Sequence, residues 1–147
     1  MNYMHKSIDL VMLVDKNPEA NYINRRLIEI SKFARQVITK TSGSKALEYL
    51  EINQKHRPLL PDIIFLDIST PPISAFEFLD HLDQHAVYLK NKCHVLVLSN
   101  SLKTYEIDNI LRKRFVVGCM TKPLLVEKLN ILKSSYFKVS NRTQRIN

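Results

Sequence analysis

The stretch PDIIFLDISTPP, residues 61–72, decides the fold of this chain. Its apolar run, residues 63–66, is short and rich in β-branched and aromatic residues, which is typical of a buried strand closed by turn residues. Pro71 and Pro72 end this strand, because neither has a backbone N–H to donate to a ladder. The pattern therefore predicts that Asp67 lies at the carboxyl end of a central strand, the edge where open α/β sheets bind ligands.

Four other apolar runs alternate with helical patterns on both sides of this strand. The predicted strands cover residues 8–14, 36–39, 63–67, 95–98 and 115–120. The first predicted helix runs from residue 18 to about residue 33, and the fourth runs from about residue 103 to residue 113. The apolar residues of the other three lie within residues 46–50, 76–82 and 124–132. Five repeats of strand then helix predict an α/β fold in which a mostly parallel sheet carries helices on both faces.

Local signals refine the helices of this pattern. Asn17 followed by Pro18 predicts a capped helix start, and Ser74 predicts a cap for the third helix. The inner face of the first helix is predicted to hold five residues, which are Tyr22, Ile23, Leu27, Ile28 and Ile30. The tail from residue 134 is polar and basic, and we expect it to be frayed.

Length and composition limit the class of protein. A chain of 147 residues suits one domain, and no apolar run is long enough to span a membrane. The start of the chain lacks a secretory h-region, and Cys93 and Cys119 lack metal-ligand spacing. Reduced, buried cysteines in a cytoplasmic protein are the simplest interpretation. The formal net charge of +8 raises the question of an acidic partner, but the charges are spread along the chain, which favours ordinary solubility.

Polar residues follow several of the predicted strands at the point where each strand ends. Asp15 and Lys16 follow the first strand, Asp67 ends the third, Ser99 follows the fourth and Lys122 follows the fifth. Because the carboxyl ends of parallel strands share one edge, we expect a carboxylate, a hydroxyl and an amine to meet in one cleft there.

The motifs at these strand ends resemble those of the receiver domain of two-component response regulators. They are LVDKNP (residues 13–18), PDIIFLDISTP (61–71), VLS (97–99) and TKP (121–123). All four occur in order, and the resemblance covers residues 8 to 132. The predicted receiver domain is therefore residues 1–134. It implies a flavodoxin-like, doubly wound (βα)5 sheet with strand order 2-1-3-4-5. The basic tail, residues 135–147, is too short for an output or DNA-binding domain.

By this resemblance Asp67 is the phosphoacceptor, taking a phosphoryl group from a sensor histidine kinase or a phosphotransfer protein. The resemblance assigns Lys122 to the phosphoryl oxygens and Ser99 to the switch hydroxyl. It assigns a Mg²⁺ site to Asp15, Asp67 and the backbone carbonyl of Ser69. The implied protein is a stand-alone, chemotaxis-type receiver that signals to a downstream target by protein contact. Such a protein is a phosphoacceptor that assists its own phosphorylation and dephosphorylation rather than an enzyme, and a homodimer is compatible with the sequence.

The sequence departs from the family pattern at four places. Lys16 stands where the family usually has a second acid, and Cys119 stands where it has an aromatic switch residue. Ala75 replaces a usual Gly, and Ser69–Thr70 replaces a common Asn-Met pair. Lys16 removes one oxygen ligand and adds a positive charge, so the resemblance implies weak Mg²⁺ binding. A pseudo-receiver that acts through protein contacts without phosphorylation therefore remains the alternative.

Two other classes of protein share part of the pattern. A flavin- or nucleotide-binding enzyme would need a glycine-rich phosphate loop after the first strand, whereas this chain has only Gly43 and Gly118. A DNA-binding transcription factor would need a helix-turn-helix domain after residue 134, and the tail is too short for one. Both classes are therefore disfavoured.

Overall fold

The computed structural model describes residues 8–68, 74–100, 104–136 and 144–146. The strands are β1 (Leu10–Val14), β2 (Gln36–Lys40), β3 (Ile63–Asp67), β4 (His94–Ser99), β5 (Val116–Thr121) and β6 (Gln144–Ile146). The helices are α1 (Pro18–Ser31), α2 (Gly43–Ile52), α3 (Ala75–His85), α4 (Thr104–Leu111) and α5 (Val126–Tyr136). The predicted alternation of five strands and five helices is confirmed.

The sheet is parallel throughout, and its first five strands run in the order β2-β1-β3-β4-β5. This is the predicted flavodoxin-like order, and it makes β1 and β3 neighbours. A sixth strand, β6, pairs in parallel with β5 at residues Gly118 to Met120. The expectation of a frayed tail is wrong for residues 144–146, because a free sheet edge offers backbone partners to any extended segment that reaches it.

Alternate residues of the strands supply two separate hydrophobic cores. One face of the sheet contributes Met12, Val14, Ile64, Leu66 and Val97 to the core with α2 and α3. The other contributes Val11, Leu13, Phe65, Leu96 and Leu98 to the core with α1 and α5. Because successive side chains of a strand point to opposite faces, a sheet covered on both sides needs unbroken apolar strands. The run before Asp67 is such a strand.

The predicted N-caps, Asn17 and Ser74, are confirmed. The Asn17 side chain accepts hydrogen bonds from the N–H groups of Glu19 and Ala20, at 2.9 and 3.4 Å. Ser74 and Glu77 form a reciprocal capping box at the start of α3. α1 begins four residues after the end of β1, and α3 begins at Ala75, so each cap fixes the first turn of the helix that follows Asp15 or Asp67 in the chain.

The predicted inner face of α1 is only partly right. Ile28 is buried, whereas Tyr22, Ile23 and Ile30 are each more than 60% exposed. The polar Asn21 is 3% exposed and takes a place on the inner face. Apolar character alone misplaced the face, because a buried amide with hydrogen-bond partners on the strands can replace an apolar contact. Among the described residues, no helix combines the length and the apolar character needed to cross a bilayer.

Candidate functional site

Asp15 and Asp67 lie side by side at the carboxyl edge of the sheet. Val14 pairs with Leu66 in the ladder between β1 and β3, so the next residues of both strands are neighbours. Asp67 is 3% exposed and Asp15 is 7% exposed. Two buried carboxylates at one sheet edge need positive charge nearby, because an unpaired buried charge is costly.

Lys122 supplies that charge to both carboxylates. Its Nζ lies 2.8 Å from Asp67 Oδ1 and 3.7 Å from Asp15 Oδ2. The residue directly follows β5, and its backbone N–H donates to the carbonyl of Ser99 at 2.8 Å. Two carboxylates and one ammonium give this cluster a formal charge of −1, since one positive charge offsets one of two negative charges.

Ser99 ends β4 beside Thr121, its partner in the ladder with β5, and is 4% exposed. The sheet therefore brings together Asp15, Asp67, Ser99 and Lys122 at one edge, as the sequence predicts. Ser69, the predicted source of a metal-binding carbonyl, lies outside the described residues. Cys119 is buried in β5, which agrees with a small core residue.

Backbone and amide groups hold Asp15 in place. Asp15 Oδ1 accepts a hydrogen bond from the N–H of Asn17 at 2.9 Å. The side chain of Asn21 donates from Nδ2 to the carbonyls of Asp15 and Lys40, at 3.1 and 3.2 Å. Asn21 therefore ties the residue that follows β1 to the last residue of β2. Sequence reasoning missed this residue, and its only signal was an Asn at helical spacing from Ile28.

The two carboxylates can serve as hard oxygen ligands. Mg²⁺ prefers oxygen, keeps several waters and is usually held by one or two carboxylates in proteins. Among the described residues, no group of three His, Cys, Asp or Glu side chains meets as a metal site. Asp15 and Asp67, with a residual formal charge of −1 beside Lys122, fit a hydrated Mg²⁺ rather than a closed protein cage.

Lys16 follows Asp15 and is an exposed residue. The ammonium that contacts both carboxylates is that of Lys122. The sequence left two placements open for Lys16, one pointing into the cleft and one reaching solvent. The exposure of the residue agrees with the second placement.

Comparison with solved structures identifies the fold. The sequence matches no protein-family model and no curated protein. A two-component response regulator from Cytophaga hutchinsonii is similar in structure, with a TM-score of 0.82 and 29% identity over 91% of this chain and 100% of that chain. The chemotaxis response regulator CheY4 of Vibrio cholerae gives a TM-score of 0.65 at 21% identity, over 90% of this chain and 100% of that one.

A third similar structure is the isolated REC domain of RcsB from Salmonella enterica serovar Typhimurium, determined with the phosphomimetic BeF3−. It has a TM-score of 0.72 and 14% identity, and the match covers 94% of each chain. The three matches each cover at least 90% of this chain. The chain therefore has the flavodoxin-like fold of a response regulator receiver domain, as the motifs at its strand ends predict.

Proposed function

We propose that this protein is a response regulator that accepts a phosphoryl group on Asp67. The donor is a sensor histidine kinase or a phosphotransfer protein, and the output is contact with a downstream target protein. The receiver-domain neighbours support the response-regulator role. The observation that carries the proposal is the buried Asp67 carboxylate, held 2.8 Å from Lys122 Nζ and next to Asp15.

The transfer is a displacement at phosphorus. A carboxylate oxygen of Asp67 attacks the phosphoryl group of a phosphohistidine donor. The P–N bond breaks, its electron pair stays on the donor imidazole, which takes up a proton, and a P–O bond forms to give an acyl phosphate. Phosphoryl transfer depends mainly on positioning and on neutralising the charge of the equatorial oxygens.

Lys122 and Ser99 supply this neutralisation from the chain itself. The Lys122 ammonium already lies at hydrogen-bonding distance from the nucleophilic carboxylate, so it can pair with a phosphoryl oxygen on Asp67. The Ser99 hydroxyl is proposed to donate to a second phosphoryl oxygen. Because the Lys122 N–H donates to the Ser99 carbonyl, the two residues are coupled by a backbone hydrogen bond.

Mg²⁺ is the proposed cofactor, held by Asp15 and Asp67 with the Ser69 carbonyl. A bound Mg²⁺ would offset the negative charge of the incoming phosphoryl group. Asp15 is prepared for this role, because the N–H of Asn17 and the amide of Asn21 fix its carboxylate and backbone. With Lys16 in place of a second acid, we propose that binding is weak.

The test is incubation of the protein with acetyl phosphate and Mg²⁺, followed by intact-mass measurement. We expect a mass increase of one phosphoryl group on the wild type and none on Asp67→Asn. Asp108→Asn, at an exposed carboxylate on α4, is the matched control and should label like the wild type. An adduct that persists in Asp67→Asn would show that the nucleophile is another residue.

The alternative function is a pseudo-receiver that acts as a protein-interaction module without phosphorylation. The specific observation that favours it is Lys16 at the position of the second acid. Absence of any adduct on the folded wild type, with both acetyl phosphate and a phosphorylated histidine donor, would favour this alternative.

A second experiment addresses Lys16 alone. Lys16→Asp adds an oxygen ligand and removes a positive charge beside Asp15, so Mg²⁺ affinity should rise about tenfold or more. Titration calorimetry measures this directly, with Lys45→Asp on α2 as the control for a general change in surface charge. Unchanged Mg²⁺ affinity in Lys16→Asp would show that residue 16 lies outside the metal site.

A further inference from the structure

We propose that Lys128, on α5, is a positioning residue for Lys122. This inference rests on the proposed function, because it concerns the ammonium that is to bind the phosphoryl group. Lys128 Nζ donates to the carbonyl of Thr121 at 2.6 Å and to the carbonyl of Pro123 at 3.0 Å. These two carbonyls belong to the residues on either side of Lys122.

The first of these contacts acts on the same peptide group as Ser99. The carbonyl of Thr121 and the N–H of Lys122 are the two ends of one planar peptide unit. Its N–H donates to Ser99 O at 2.8 Å, and its carbonyl accepts from Lys128. A planar unit held at both ends is fixed in orientation, so the direction in which the chain presents the Lys122 side chain is fixed too.

The second contact holds the other side of the same short loop. The Pro123 carbonyl accepts from the same ammonium, so one charged group joins the loop before and after Lys122. Hydrogen bonds from a charged donor are stronger than neutral ones. The placement matters because Lys122 Nζ must reach Asp67 at 2.8 Å and Asp15 at 3.7 Å at the same time.

The position of Lys128 in its helix is unfavourable for a cation. It is the third residue of α5, which begins at Val126. The first turn of a helix carries partial positive charge and favours acids, as Glu127 illustrates. A lysine there opposes the local preference, and its two carbonyl contacts offset that cost. Local helix stability therefore does not explain the residue, whereas its contacts with the Lys122 loop do.

The chain offers a matched control on the same helix. Lys133, in the last turn of α5, donates from Nζ to the carbonyl of Lys32 at 3.0 Å. This is the same type of contact, from the same helix, to a backbone carbonyl at the end of α1. A variant at Lys133 therefore tests the loss of an ammonium-to-carbonyl bond without touching the Lys122 loop.

The experiment compares four variants with the wild type, which are Lys128→Met, Lys128→Gln, Lys128→Arg and Lys133→Met. The first readout is the rate of labelling by acetyl phosphate with Mg²⁺. The second is hydrogen exchange of the Lys122 amide by NMR, which needs no phosphorylation. Because hydrogen bonds to charged groups are lost, we expect Lys128→Met to slow labelling and speed exchange by about tenfold each. Lys128→Arg should stay within about twofold of the wild type, because its guanidinium retains several donors.

Each outcome decides the proposal. Equal effects of Lys128→Met and Lys133→Met would overturn it, since the cause would then be general loss of α5 stability. Unchanged Lys122 exchange in Lys128→Met would also overturn it, as would faster exchange with an unchanged labelling rate. If Lys128→Met fails to fold, Lys128→Gln gives the same comparison. A wild type that takes no phosphoryl group refutes the proposed function, while the exchange of the Lys122 amide still decides whether Lys128 orders the loop.

Discussion

The two ends of strand β3 each carry a buried aspartate, and they are built differently. At the amino end, Asp62 accepts from the N–H groups of Asp9 and Leu10 at 2.8 and 3.1 Å, and from Lys92 Nζ at 2.9 Å. At the carboxyl end, Asp67 shares the ammonium of Lys122 with Asp15. Asp62 and Lys92 form a pair of balanced formal charge, whereas Asp15, Asp67 and Lys122 together carry a formal charge of −1.

This difference agrees with a structural role for Asp62 and with the reactive role that we propose for Asp67. Asp62 joins the start of β1 to Lys92, which lies two residues before β4, and Lys92 balances its charge. Lys122 contacts both Asp67 and Asp15, so the three side chains together carry a formal charge of −1. Removal of one partner from a buried ion pair leaves an uncompensated charge and destabilises the fold, whereas a surplus charge can take part in binding and chemistry.

The largest expected effect is on stability, at the amino end. Asp62→Asn leaves Lys92, whose side chain is 13% exposed, without its carboxylate, so the free energy of unfolding should fall by about 3 kcal/mol. Asp67→Asn should change it by less than about 1 kcal/mol, because Lys122 keeps Asp15 as a partner. Urea unfolding followed by circular dichroism measures both. Equal losses in the two variants would mean that the two aspartates do not differ in this way.

A smaller loss of stability is expected when Asn21, which holds Asp15 in place, is replaced. Asn21→Ala removes the hydrogen bonds to the carbonyls of Asp15 and Lys40. The free energy of unfolding should therefore fall by about 2 kcal/mol. Asn24→Ala, on the same helix, is the control and should stay within about 0.5 kcal/mol of the wild type. Urea unfolding again gives the comparison, and similar losses in both variants would show that Asn21 adds nothing beyond its helix position.

Removal of the Lys122 ammonium should make the carboxyl end of β3 more negative than the amino end. Lys122→Met changes the formal charge of the cluster from −1 to −2, because both carboxylates remain. Mg²⁺ affinity should therefore rise about tenfold, while labelling by acetyl phosphate falls. Titration calorimetry provides the affinity, with Lys133→Met as the control. An affinity that stays constant in Lys122→Met would indicate that Mg²⁺ is bound elsewhere.

The smallest expected effect concerns pH at the amino end. Burial raises the pKa of the Cys93 thiol above its ordinary value, and the nearby Asp62 adds to the shift. The folded state therefore keeps the neutral thiol while the unfolded chain ionises from about pH 9 upward. Stability is fully present below that pH and should fall by about 1 kcal/mol per pH unit above it.

Cys93→Ala is the variant that tests this pH dependence. It should lower stability at neutral pH, because a buried side chain is truncated. Its further loss between pH 9 and pH 10 should be smaller than that of the wild type, and urea unfolding at both pH values measures the difference. An identical alkaline slope in wild type and Cys93→Ala would assign the pH dependence to other groups.

The spacing of apolar residues and the helix-capping and turn residues predicted most of the fold. The apolar run before Asp67 and the caps at Asn17 and Ser74 set strand and helix boundaries through local chemistry, which requires no tertiary contacts. The inner face of α1 was partly wrong, since Tyr22 is exposed and Asn21 is buried. The strand at residues 144–146 was missed, because its partner edge on β5 exists only in the assembled sheet.

The sequence by itself determined which residues meet at the carboxyl edge of the sheet. Parallel strands bring their carboxyl ends to one edge, so Asp15, Asp67, Ser99 and Lys122 could be placed there from their positions at strand ends. Only the tertiary structure decided how their charges are shared. Lys122 divides between two carboxylates, Lys92 balances Asp62 across 30 positions of chain, and Lys128 holds the loop of Lys122. These pairings depend on distances of a few ångströms between residues far apart in the chain, and such distances are fixed by packing rather than by local pattern.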